Sequence, residues 1–140
     1  MTAYMDHKNL ANEVIDDARA REITDGVHRV LDRIAAAEEQ AGREAGSVRL
    51  LAATKTRDIG EIMVAIDAGV RMIGENRPQE LREKYPLLPP DIRWHMIGHL
   101  QTNKVKYIAP FVELIHSVDS DRLLAVIDRE AARNDRTIDV

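Results

Sequence analysis

Two hydrophobic periods alternate along this chain. From Ile23 onward, Val27, Val30, Leu31, Ile34 and Ala35 recur at helical spacing, and Gly42 and Gly46 punctuate the end of that helix. Val48-Arg49-Leu50-Leu51-Ala52-Ala53, apolar but for Arg49, then reads as a short buried strand. Asp58 followed by Glu61 is a capping-box pattern that opens a second helix. Its stripe is Ile59, Ile62, Met63 and Ile66, and Gly69 is placed to end it. Residues 71–74 read as a strand, and Pro78 starts a helix to about residue 85, stopped by Pro86, Pro89 and Pro90. Residues 93–97 are a third strand, 102–108 a helix closed by Pro110, and 114–117 a fourth strand. Asp119 or Ser120 caps a helix carrying Leu123, Leu124, Ile127 and Ala131, and residues 137–140 open a fifth strand. Residues 1–21 are polar and weakly periodic, in keeping with a loose helix or an arm.

The strand centres fall near Leu50, Met72, Met96, Ile115 and Ile138, at successive spacings of 22, 24, 19 and 23 residues. Regular strand–helix alternation is the signature of a parallel sheet with helical crossovers. A doubly wound open sheet and a (β/α)8 barrel both satisfy it. The chain holds four complete units and the start of a fifth, and a full barrel has eight. With no linker or low-complexity segment, residues 1–140 read as a single domain. Val140 falls where a strand begins, so the expectation is a truncated product or a fragment with an open sheet edge through which copies associate.

Composition narrows the chemistry. The 44% hydrophobic content supplies a core, and no apolar run reaches the ~18 residues of a membrane helix. Acidic residues near the N-terminus stand where a signal peptide needs an apolar stretch, so a soluble cytoplasmic protein is expected. The absence of cysteine removes disulfides and thiol chemistry. A net charge of -4 and 4% aromatics argue against nucleic-acid binding.

Polar residues gather after each predicted strand: Thr54-Lys55-Thr56, Gly74-Glu75-Asn76, Gly98-His99-Leu100-Gln101, and Ser117-Val118-Asp119-Ser120. The carboxyl ends of parallel strands are where such folds build sites. Lys55 directly follows a strand, and alternation puts Leu51, Ala53 and Lys55 on one face. Desolvated at a barrel mouth, a lysine favours the neutral amine that attacks a carbonyl to form a Schiff base. A lysine that simply reaches water is the plain alternative. Gly74 suits a tight exit from a strand, and Asn76 offers a donor and an acceptor. His95 and Ile97 share a face opposite Trp94 and Met96, so His95 is a hydrogen-bonded core histidine or a ligand contact. The His95/His99 spacing lacks the helix that a zinc pair at i and i+4 requires, so no metal site is expected. Neither a GxxxxGK[ST] loop nor a GxGxxG turn is present.

Four of these segments resemble one known family. Leu51-Ala52-Ala53-Thr54-Lys55-Thr56 resembles that family's AVSKTKP, and residues 73–80 resemble FGENYVQE. Residues 94–104 resemble WHFIGHLQSNK, and His116-Ser117-Val118-Asp119-Ser120 resembles HSVDS. The family is the pyridoxal phosphate homeostasis proteins, the YggS/PROSC type, and the likeness runs from about Val27 to Val140. It implies an alanine-racemase-like parallel (β/α)8 barrel, of which this chain holds the first four to five units. It also implies that Lys55 holds pyridoxal 5′-phosphate (PLP) as a Schiff base, with Asn76, His95 and Gly98 near the cofactor. The implied role is cofactor homeostasis without catalytic turnover. Arg57-Asp58 and Arg77-Pro78 depart from the family pattern in loops. The family's later SMGMS-like and RIGT-like loops, which grip the phosphate, are not in this chain. Two rival functions follow: a racemase-like PLP enzyme, and a fragment that no longer binds PLP.

Overall fold

The computed structural model describes residues 9–140, so the expectation for residues 1–8 lies outside the described residues. The chain forms two compact units. The first runs to Ala52 and includes Thr56–Arg71; the second comprises Ala53–Lys55 and Met72–Val140.

In the first unit, α1 (Asp17–Gln40) starts at Asp16, whose side chain accepts the Arg19 N–H. It packs on α2 (Ile59–Asp67). Ile23, Val27, Leu31 and Ile34, spaced four, four and three residues apart, are half-buried, whereas Val30 and Ala35 are exposed. The apolar stripe is thus narrower than the sequence pattern indicates. Gly42 and Gly46 take the left-handed conformation, with φ of 67° and 84°, that L side chains disfavour. The buried Glu38 carboxylate accepts the Val48 N–H at 2.9 Å and the Ser47 hydroxyl at 3.3 Å. That capture takes Val48 out of the expected strand: it is 40% exposed, and β1 is only Leu51–Ala53.

The capping box at α2 is half realised. Asp58 Oδ1 accepts the Glu61 N–H at 2.9 Å, and Asp58 Oδ2 accepts from Asn12 Nδ2 at 3.1 Å. The Glu61 carboxylate turns instead to Arg57 at 3.1 Å and Arg19 at 3.3 Å. Gly60 admits residues 12–14 against the helix: a Cβ there would meet the Glu13 carbonyl oxygen at 2.9 Å.

The parallel sheet runs β1-β2-β3-β4, with β2 Met72–Glu75, β3 Arg93–Met96 and β4 Leu114–Ile115. Consecutive neighbours with no reversal form the wall of a β/α barrel; a doubly wound sheet reverses its strand order. Between strands lie α3 (Pro78–Lys84), which passes into a 3₁₀ turn at Tyr85–Leu87, and α4 (Val105–Ile108), preceded by a 3₁₀ turn at Thr102–Lys104. Ser120 caps α5 (Asp121–Arg133) by accepting the Leu123 N–H. Leu123, Ile127 and Ala131 are buried, but Leu124 is 42% exposed and outside the core. Ile73, Leu81, Trp94, Met96, Ile108 and Ile115 form the centre of the second unit. Three of the chain's few rings cluster there: Tyr85 stacks on Phe111 at 4.0 Å, and Trp94 meets both edge-on. The expected fifth strand is reduced to one parallel bridge, Leu114 with Asp139.

Replacing Asp58 with Ala removes the α2 cap and the Asn12 tie together. The expected cost is about 1–2 kcal/mol, read as a lowered urea midpoint. An unchanged midpoint would show that the cap contributes nothing.

Candidate functional site

Alternation sorts the strand ends of the second unit onto two faces. Thr54, Glu75, Trp94 and Met96 are buried on the helix-covered face. Ala53 and Lys55, both exposed, Gly74, His95 and Ile97 lie on the other. A Cβ on Gly74 would meet the Ile97 side chain at 2.9 Å, so the glycine makes room for its neighbour across the sheet.

Lys55 stands at the carboxyl end of β1 as expected, but exposed rather than desolvated. The peptide that carries it is held firmly. The Thr54 N–H donates to the Gly74 carbonyl at 3.1 Å. The Thr54 hydroxyl donates to Glu75 Oε1 at 2.8 Å, and the Thr54 carbonyl accepts from Lys84 Nζ at 2.8 Å. Lys84 is 2% exposed and spends its other two protons on Glu75 Oε1 at 2.6 Å and Glu80 Oε2 at 3.1 Å. An ammonium has three donors, and all three are met. Glu75 is fully buried, and its Oε2 meets no donor among the described residues. Burial pushes the Glu75 carboxyl above the ordinary carboxylate range; the Lys84 charge and the hydrogen bonds from Lys84 and Thr54 oppose that shift.

This cluster was not singled out in the sequence. Its one local signal is the Glu80–Lys84 pair at i and i+4 on α3.

The second arrangement centres on His95, which is buried. Its Nδ1 lies 2.9 Å from His116 Nε2 and its Nε2 lies 3.3 Å from Glu113 Oε2. Arg93 grips Glu113 through Nε at 2.7 and 3.0 Å and through a further short contact from Nη2. Glu113, held below the ordinary carboxylate range chiefly by Arg93, can only accept. Neutral His95 therefore donates from Nε2 and accepts at Nδ1 from the His116 Nε2–H. Both ring nitrogens are engaged, so His95 has its ring face to offer a ligand. Glu113 and His116 reach the same ring because the chain gains a residue there. Their N–H groups, three residues apart, donate to Trp94 and Met96 carbonyls two residues apart, the count of a β-bulge. No sequence signal marks that bulge.

Asn76 and Gly98 are brought together. A Cβ on Gly98 would sit 2.4 Å from the Asn76 carbonyl oxygen and 2.8 Å from its Cα. The loop after β3 therefore crosses the loop after β2 at backbone contact, which only glycine permits.

The residues present fit an aldehyde-bearing ring on one count: an accessible amine on a clamped peptide, beside the small exposed Ala53. Among the described residues, Lys55 has no ion-pair or hydrogen-bond partner.

Lys84→Met leaves a buried carboxylate and the Thr54 carbonyl unpaired. We expect a loss of about 3–5 kcal/mol. The loss is larger at pH 8 than at pH 5, because an acid with a raised folded pKa costs stability as pH rises through that value. Equal urea midpoints for the two proteins at both pH values would refute this. Burial, reinforced by His116 and Arg93 and opposed by Glu113, holds His95 below the ordinary histidine range. The fold prefers the neutral ring, so stability falls as pH drops below about 6.5. His95→Gln is expected to flatten that slope in urea midpoints measured from pH 7 to pH 5.

No protein-family model matches the chain. The curated pyridoxal phosphate homeostasis protein of Aquifex aeolicus is 45% identical over 113 residues, 80% of this chain and 50% of that protein. The Deinococcus radiodurans protein of the same name is 49% identical over 94 residues, 66% of this chain and 44% of that protein. Among solved structures, one described as an unknown protein from Bifidobacterium adolescentis is 64% identical with a TM-score of 0.87, covering 94% of this chain and 58% of that one. PipY of Synechococcus elongatus, solved with PLP bound, is 35% identical with a TM-score of 0.62, covering 78% and 51%. The chain spans about half the length of the curated relatives it matches. Over that half, the sequence identity and the shared fold agree, and the chain belongs to the pyridoxal phosphate homeostasis protein family.

Proposed function

We propose that this chain binds pyridoxal 5′-phosphate through Lys55 and serves intracellular cofactor homeostasis without catalytic turnover. The observation that carries the proposal is the Lys55 segment: an unpaired amine on an open sheet face, its preceding peptide clamped by Lys84 and Glu75. The names of the curated relatives and the PLP-bound PipY structure support the same reading.

Bound there, the cofactor supplies an aldehyde carbon that reacts with an amine. The chain's own residues fix where that amine stands. The Thr54 carbonyl and hydroxyl are both held, so the Lys55 Cα does not wander and only its four-carbon stem must be ordered on binding. Asn76, beside the crossing at Gly98, offers amide hydrogen bonds, and His95 offers a ring face.

The same geometry supports a role without turnover. A racemase-type reaction needs a second acid/base across the ring from the lysine. His95 is the nearest candidate by motif, and its two nitrogens are committed to His116 and Glu113. A carrier acting in the cytoplasm suits these features. Among the described residues no helix is long and apolar enough to cross a membrane.

The test is the absorbance spectrum of the chain with added PLP, beside Lys55→Ala, followed by borohydride reduction and peptide mapping. The expected result is a new band in the parent, absent in the variant, with the reduced adduct on Lys55. An equal band in both proteins would remove Lys55 from the site. No band in either would show that this chain does not suffice to bind the cofactor.

A further inference from the structure

A cleft of about 430 Å³ opens between α3 and the turn that leads into α4. Its lining includes Arg77, Arg82, Lys104, His99, Gln101 and Tyr107, and no carboxylate. The Arg82 guanidinium carbon lies 4.6 Å from the Tyr107 ring centroid. Lys106 Nζ lies 5.2 Å and Lys104 Nζ 5.7 Å from the same centroid. Three cations thus converge on one ring, with Arg77 beside them on the cleft wall.

These cations differ from the paired ones elsewhere in the chain. Arg19, Arg57, Lys84, Arg93 and Arg133 each meet a carboxylate. Among the described residues Arg77, Arg82, Lys104 and Lys106 have no ion-pair partner. His99 on the cleft wall has Asp119 Oδ2 3.9 Å from its Nδ1, with both side chains exposed. In a chain of net charge -4, cations gathered without counter-charge repel one another, and an anion among them relieves that repulsion.

We propose that this cleft binds a small phosphorylated molecule, its phosphoryl group held by Arg77, Arg82 and Lys104 above Tyr107. A phosphoryl dianion has the charge and the acceptor oxygens to meet two guanidinium forks and an ammonium together, whereas a carboxylate brings one charge and two oxygens. Gln101 adds a neutral donor for the rest of the ligand. The cleft volume suits a small molecule. Its concave form and the acidic chain around it disfavour an extended polyanion. Asn76 belongs to this lining and Lys55 does not, so the cleft shares one residue with the PLP reading and lacks its amine.

The test is calorimetric titration in phosphate-free buffer at low ionic strength, using ribose 5-phosphate, inorganic phosphate and ribose. PLP is unsuitable as a probe because it reacts with lysines generally. We expect ribose 5-phosphate to bind and ribose not to. Affinity should fall as salt is raised. It should drop at least tenfold in an Arg82→Gln/Lys104→Gln double variant and stay unchanged in Lys55→Ala. Circular dichroism of the double variant guards against misfolding, and amide shifts confined to residues 77–82 and 99–107 in the parent supply a second reading. Inorganic phosphate binding as tightly as the ester would uphold the site and make the free anion its occupant. No binding of either phosphate at millimolar concentration would overturn the proposal. Binding that survives in the double variant, or that is lost with Lys55, would overturn it equally.

Discussion

The buried contact between Lys84 and Glu75 governs the second unit more than any other single interaction. A carboxylate with no solvent exposure is costly unless a charge meets it, and Lys84 meets it at 2.6 Å. Because the same ammonium also donates to the Thr54 carbonyl, the ion pair ties α3, β2 and the end of β1 at one point. The strand end that carries Lys55 is thereby positioned from beneath, by groups on the helix-covered side. Removing either partner strands the other in a dry environment, which gives the arrangement its leverage.

The two faces of the sheet divide the labour. The helix-covered face holds the charge cluster and the aromatic core, while the opposite face presents Lys55, Gly74, His95 and Ile97. Rigid support on one side allows an amine on the other to remain unpaired. The Arg93–Glu113–His95–His116 network extends that logic along the open face, since each group fixes the orientation of the next. Gly98 lying against Asn76 then brings two strand-end loops into one place.

Much of this was legible in the residues. The helix and strand order followed from period and punctuation, since Pro78, Gly69, Asp58 and Ser120 act through local backbone chemistry. Lys55, Asn76, His95 and Gly98 stood out as candidates because motifs at strand ends are contiguous. Lys84 and Glu113 were not. Lys84 sits 30 residues from the carbonyl it supports, and Glu113 lies 18 from the histidine it orients. Edges were also misjudged where a side chain overrode the backbone pattern. Glu38 withdraws Val48 from β1, and Leu124 stays outside the core that its spacing implied.

By itself, then, the sequence determined the alternation of elements, the absence of thiol chemistry, the candidate lysine and the family likeness. All of these depend on composition or on neighbours within a few positions. Tertiary structure alone decided that the strands run consecutively as a barrel wall, that Lys55 is exposed on a clamped peptide, and that His95 has both nitrogens occupied. It also gathered Arg82, Lys104 and Lys106 around Tyr107 without a counter-charge. Which charges meet and which are left unmet depends on distances across the fold, and a linear pattern holds no record of them.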